Sequence, residues 1–153
     1  MVETLALHDI DQLDAGWTAL REHHRERTDH FNDYYASITF AQRKESLLAR
    51  ENLGLFIVRD NSLVSNAIVG FVIASVHQGF GEIESLFVDQ AARGRDLGTA
   101  LMGVAMGWLQ DLKADPIRLL VGEGNESVID FYQKCGFVKR ATQMEWHAKS
   151  SPR

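Results

Sequence analysis

Two groups of residues in this chain have the types and spacing that chemistry needs. The first is Arg93-Gly94-Arg95-Asp96-Leu97-Gly98, which joins an apolar stretch to a long amphipathic one. Free backbone N–H groups and the positive end of a helix dipole gather where a helix begins, and together they attract anions. Gly94 and Gly98 let the backbone approach a ligand closely, and Arg93 and Arg95 add positive charge. A pyrophosphate suits such a loop. No Gly-Lys-Ser or Gly-Lys-Thr occurs and the dinucleotide fingerprint is missing, so the loop is neither a lysine-bearing nucleotide loop nor a dinucleotide site. The second group is Glu82 and Glu84, two apart in Glu82-Ile83-Glu84-Ser85-Leu86-Phe87-Val88. On a strand, residues two apart share a face, so both carboxylates point the same way.

The elements that position these groups follow from periodicity. Val2 to Leu7 alternates weakly, as a first strand would. Ile10, Leu13, Trp17 and Leu20 then recur at helical spacing, with Asp9 as the expected N-cap. The polar run from Arg21 to His30 predicts an exposed segment, in which His23, His24 and His30 match no zinc spacing. Thr39-Phe40-Ala41-Gln42 reads as a capping box opening a helix to about Arg50, with Leu47 and Leu48 inward. Strands are expected at Leu53 to Arg59, Ala67 to Val76 and Glu82 to Val88, with short turns that imply antiparallel pairing. Leu97, Leu101, Val104, Trp108 and Leu112 mark a long helix, ended by Asp115-Pro116. Ile117 to Val121 then makes a strand parallel to the one before the helix. Asn125 is placed to cap a helix carrying Val128, Ile129, Tyr132 and Cys135, closed by Gly136. Phe137 to Trp146 is read as a last strand, and Lys149 to Arg153 as a frayed tail. Trp17, Trp108 and Trp146 are expected to pack in the interior. A single domain over residues 3–148 accounts for all of these elements.

Composition narrows the function. The 153 residues carry a net charge of −5, which opposes a nucleic-acid partner because phosphate binding needs a basic surface. No stretch reaches the ~20 apolar residues of a membrane span. Cys135 is the single cysteine, so no intrachain disulfide forms and a reducing, cytoplasmic setting is expected. With no histidine near it in sequence, Cys135 reads as a small core residue.

Val88 to Leu101, with Arg93-Gly94-Arg95-Asp96-Leu97-Gly98 inside it, resembles the acetyl-CoA-binding motif of the GNAT superfamily of N-acyltransferases: Gln or Arg, two residues, Gly, one residue, then Gly or Ala. Asn125-Glu126-Ser127-Val128-Ile129-Asp130-Phe131-Tyr132-Gln133-Lys134-Cys135-Gly136-Phe137 is similar to the family's second signature, an Asn followed by Phe-Tyr and Gly-Phe. The resemblance is sharp from Glu82 to Phe137. Asp96 departs from it, standing where the motif has Gly; it is expected to cap the helix through its carboxylate, turned away from the phosphates.

The resemblance implies an α/β (α+β) fold: a mixed, mostly antiparallel sheet with a central parallel strand pair, flanked by helices. It implies acetyl-CoA as co-substrate, with no metal. Leu86, Phe87 and Val88 would hold the pantetheine arm, and an N–H there would polarise the thioester carbonyl. Arg93, Gly94, Arg95, Asp96, Leu97, Gly98 and Thr99 would take the pyrophosphate, and Asn125 would contact the cofactor. Tyr132 would protonate the departing thiolate, and Glu82 or Glu84 would deprotonate the amine. The expected activity is acetyl transfer to a primary amine of a small, cationic molecule or of a peptide. A homodimer fits the same family. The competing reading is a CoA-binding regulatory or protein-interaction module without catalysis.

Overall fold

The computed structural model describes residues 1–62 and 64–148. The expected tail from Lys149 to Arg153 lies outside the described residues. Five strands form one sheet in the order of the chain: β1 (Val2–Thr4), β2 (Asn52–Arg59), β3 (Ile68–His77), β4 (Phe80–Val88) and β5 (Ile117–Leu119). The first four pair antiparallel. The fifth pairs parallel to β4 after the crossover helix α4 (Leu97–Asp111). The mixed, mostly antiparallel sheet with one parallel pair is therefore present, and β5 is its last strand.

The alternation of β3 builds both layers. Val72, Ala74 and Val76 face one side, where Leu101, Met102, Ala105 and Leu109 of α4 cover them. Phe71 and Ile73 face the other, against Ile10 and Leu13 of a 3-10 helix (Leu7–Leu13), Trp17 of α1 (Asp14–Arg27) and Leu47 of α3 (Phe40–Leu48). Eight central β3 residues, Val69 to Val76, are buried, so β3 reads as a continuous apolar run with both faces covered.

Several local expectations hold. Thr39 and Gln42 form the reciprocal capping box that starts α3. Gly136, at φ +100°, closes α5 (Ile129–Lys134), with Gly136 N–H bonded to Gln133 O and Phe137 N–H to Tyr132 O. Those two bonds are a Schellman closure.

Others are corrected. Asp9 lies inside the 3-10 helix and caps nothing; α1 starts at Asp14 and continues through the polar run to Arg27. Polar residues sustain that helix because its His23–His24 side packs on the protein. Leu48 is 46% exposed while Leu47 is buried, since α3 turns only one narrow stripe inward. On α4 the buried stripe is Leu101, Met102, Ala105 and Leu109, and Val104 and Leu112 face outward. The strand expected at Phe137 to Trp146 is not formed: residues 137–148 carry no strand, and Trp146 is exposed, not packed. β5 is three residues long and leaves the sheet by Leu120, so it offers a following segment little edge to pair with.

Candidate active site

The site begins with the way β4 and β5 part. They pair only from Gly81↔Ile117 to Ile83↔Leu119. β4 runs on to Val88, and no strand among the described residues pairs with it on that edge. On its other edge Asp89 N–H bonds to Val69 O. Phe87 and Ser85 face Phe71 and Ile73 in the same ladder. Bonding alternates along an antiparallel pair. The main-chain groups of Leu86 and Val88 therefore point into the wedge that the departing β5 leaves.

The basic loop lies at the open end of that wedge. No N–H from residue 94 to 99 has an acceptor among the described residues; the first helical bond is Ala100 N–H to Asp96 O. Six unpaired donors and the positive end of the helix dipole therefore lie within one short loop and helix start. Gly94 has φ +83°, and a Cβ built on it would meet nothing within 4 Å, so the loop borders open space. Gly98 is tighter: its Cβ would lie 3.5 Å from the Phe131 ring, so the start of α4 touches α5 beside Tyr132. Arg93 Nε donates to Val88 O at 3.2 Å and tethers the loop to the strand end. Arg95 pairs with Asp60 at 3.5 Å, in the β2–β3 connection.

Asp96 does not cap α4 with its side chain. It is the N-cap by position, but its backbone is left-handed, at φ 55°, and its carboxylate bonds to no helical N–H. That conformation suits Gly and is tolerated by Asp at some cost. We expect Asp96→Gly to stabilise the fold by about 0.5–1 kcal/mol, which thermal denaturation would register as a rise of roughly 1–4 °C. The same change removes a negative charge beside the six donors and should tighten acetyl-CoA binding several-fold in calorimetry.

Tyr132 packs against Phe131 and Phe137, with ring centroids at 5.3 and 6.2 Å. Burial pushes its phenol up to about 12, with a smaller contribution from Cys135. Cys135 is partly buried against the same cluster, and burial raises its thiol. Tyr132 and Glu82 line one cleft, together with Met106, Ile117 and Leu119.

Asn125 sits in the β5–α5 connection, which is pinned to the end of α1. Gly124 (φ +90°) approaches so closely that a Cβ would lie 2.2 Å from Arg27 O. Thr28 Oγ1 donates to Glu123 Oε2 at 2.8 Å, and Asp29 N–H to the same oxygen at 3.0 Å. The side chain of Asn125 does not cap the helix after it and lies against the His23 ring. His23 and His24 are half-buried, not fully solvated. Burial, then Arg27, lowers His23, and burial, then His23, lowers His24. The His24 ring stacks on Tyr35 at 5.4 Å. No cluster of three metal-ligating side chains exists among the described residues, and no helix there is long and apolar enough to cross a membrane.

The two glutamates have different surroundings. β4 carries a bulge opposite Ile73 and Ala74, with Glu84 as the extra residue between Ile83 and Ser85. Glu84 is clamped: Arg43 and Arg50 reach its two oxygens at 2.8 Å each, Ser75 Oγ donates at 2.7 Å, and its side chain is 4% exposed. Burial alone would raise its pKa, but the bonds from Arg50 and Ser75 and the Arg43 charge outweigh that and hold it below the usual carboxylate range. Glu82 is half-buried and makes no ion pair among the described residues; burial first, then the Glu84 charge and a hydrogen bond shared with Glu84, pushes it above the usual carboxylate range. Arg43, Arg50 and Ser75 were not among the residues singled out in the sequence. Their only sequence signal is being the polar residues of otherwise apolar or helical stretches.

The acetyltransferase (GNAT) family model matches residues 14–137. The chain belongs to that family. It is 30% identical over 138 residues to a mycothiol acetyltransferase of Stackebrandtia nassauensis, covering 88% of this chain and 38% of the relative. It is 30% identical over 107 residues to an N-acetyltransferase of Methanocaldococcus jannaschii, covering 65% of this chain and 46% of that one. The chain thus spans less than half the length of these curated relatives. A tetramutant of the BH1408 protein from Bacillus halodurans superposes with a TM-score of 0.75 at 18% identity, covering 97% of this chain and 99% of that one, a likeness of fold. For a GNAT family member, the parting of β4 from β5 and the donor-rich start of α4 are the features on which a functional reading rests.

Proposed function

We propose that this chain binds acetyl-CoA in the wedge between β4 and β5 and transfers its acetyl group to a primary amine of a small molecule. The observation that carries the reading is the run of six unpaired N–H groups at residues 94–99, beside the unpaired edge of β4. These donors suit a pyrophosphate. The main-chain groups of Leu86 and the N–H of Val88 suit the amides of a pantetheine arm, which can add to the strand as a ladder partner; the Val88 carbonyl already accepts from Arg93.

Bound acetyl-CoA would supply a thioester, whose carbonyl carbon takes the amine nitrogen as the C–S bond breaks. The chain's residues handle the charges and protons. An N–H at Val88 or beside it donates to the carbonyl oxygen as negative charge grows there. Glu82 accepts the proton that the amine must lose, directly or through a water. Tyr132 donates toward sulfur as negative charge gathers on it. At about 12, its phenol is fully protonated at neutral pH, while a thiol of the cysteine kind sits near ~8.5. Complete proton transfer from Tyr132 to a free thiolate is therefore uphill, and the tyrosine acts chiefly by a hydrogen bond that strengthens as the C–S bond opens.

The cleft carries Asp33, Glu82, Glu123 and Glu126 beside Arg118, Lys139 and Arg140, and its carboxylates suit the ammonium group of an acceptor. An amine panel read by release of the CoA thiol tests the reading. Acetyl-CoA-dependent thiol release with at least one small primary amine is expected. Binding of acetyl-CoA with no release across polyamines, amino sugars and amino acids would leave a CoA-binding module instead.

A further inference from the structure

The glutamate pair carries an asymmetry that the reaction does not itself require, and it is built from residues distant in sequence. Glu84 is the extra residue of the β4 bulge, and its carboxylate ends between two guanidinium groups. Arg43 Nη2 also reaches Glu84 O, at 3.4 Å, so the clamp holds the bulged backbone as well as the side chain. Arg43 lies in α3 and Arg50 just after it. Arg43 from within α3 and Arg50 from just beyond its end reach the same carboxylate, which ties that helix to the sheet. Ser75 of β3, directly opposite Glu82 in the ladder, donates to Glu84 and not to Glu82.

We propose that Glu84 is a positioning residue: an anion fixed by Arg43, Arg50 and Ser75 that holds the β4 bulge and, by its charge, makes Glu82 the member of the pair that takes up the proton. The role of Glu82 as base rests on the function proposed above.

Other groups face Glu82 as well. Arg118 lies beside it on β5, Arg50 reaches in from the end of α3, and His77 and Ser75 line the same small cleft from β3. Arg118 stacks its guanidinium over Phe80, 4.9 Å from the ring centroid, and makes no ion pair among the described residues. Arg50 is bound to Glu84 at 2.8 Å. The cations near Glu82 therefore offset its burial only in part, and the fixed negative charge of Glu84 adds to the resistance against ionising.

The test uses two charge changes with opposite expected signs. Glu84→Gln keeps the shape and removes the anion, so Glu82 should lose its proton more easily. Arg43→Gln leaves Glu84 charged and less neutralised, so Glu82 should hold its proton more tightly. With one acceptor amine throughout, the acidic limb of the kcat/KM profile should move down by about one pH unit in the first variant and upward in the second. The carboxyl carbon of Glu82, followed by NMR titration and assigned with Glu82→Gln, should move in the same two directions. A uniform loss of kcat/KM with an unmoved limb and an unmoved Glu82 titration would mean that Glu84 serves structure alone, and would overturn the proposal. If Glu84→Gln does not fold, the upward shift in Arg43→Gln decides by itself. The NMR titration needs no turnover, so a wild-type protein that acetylates no amine would sink the functional reading and leave this inference to stand or fall separately.

Discussion

Replacing Glu82 by Gln is expected to lower kcat/KM by about 10²–10⁴-fold at neutral pH, the usual contribution of a positioned base. The volume and backbone stay the same, and Glu82 makes no ion pair among the described residues, so the melting temperature should change by less than a few degrees. The pH profile adds a second readout. A base works only when deprotonated, and burial and the Glu84 charge put Glu82 above the ordinary carboxylate range. Wild-type activity should therefore fall as pH drops through a value higher than that of an exposed glutamate. Part of any acidic limb comes from the acceptor's own ammonium group, which is identical in both proteins. The comparison isolates Glu82: the variant should lose the enzyme's share of the limb and keep the substrate's. A variant as active as wild type at every pH would remove Glu82 from the mechanism.

Tyr132→Phe should lower kcat by about 10²–10³-fold while acetyl-CoA binds within a few-fold of wild type. The ring is held by Phe131 and Phe137 and by contact with the core. The substitution deletes one hydroxyl oxygen and preserves that packing. No protein group among the described residues bonds to that hydroxyl, so its loss leaves no orphaned partner. The alkaline side is equally specific. An acid works only when protonated, and a phenol at about 12 stays protonated through pH 10. Activity should be flat between neutrality and about pH 10, with no loss assignable to Tyr132. Stopped-flow or steady-state thiol release across that range checks it. Weakened acetyl-CoA binding with unchanged kcat would make Tyr132 a packing residue only.

The parts of this protein that were legible in the sequence are those encoded locally. The capping box at Thr39 and Gln42, the closure at Gly136 and the strand–loop–helix passage from Glu82 to Leu101 each depend on residues within a few positions of one another. All three appear where the pattern places them. The parallel pairing of β4 with β5 follows from chain connectivity alone. What was not legible depends on distant partners or on backbone angles. Glu82 and Glu84 look equivalent in sequence; Arg43 and Arg50, 41 and 34 residues away, tell them apart. Asp96 has the composition of a helix cap, yet its left-handed backbone turns the carboxylate away from the helix. His23 and His24 read as solvated because their neighbours are polar, and they are partly covered by packing from Tyr35 and the β5–α5 connection. Phe137 to Trp146 has strand-like composition, but composition cannot supply the long free edge that a strand must pair with.

The most direct test of the central claim is thermal melting with and without acetyl-CoA. At about 100 times its dissociation constant, a ligand bound to the native state alone adds about 2.7 kcal/mol. In a domain of this size that is a rise of roughly 5–10 °C. The donors at residues 94–99 and the free edge of β4 predict that rise, and predict that Gly94→Asp, which sets a carboxylate in the open space beside the loop, abolishes most of it. An unchanged melting temperature at saturating acetyl-CoA would contradict the assignment of this wedge to the cofactor.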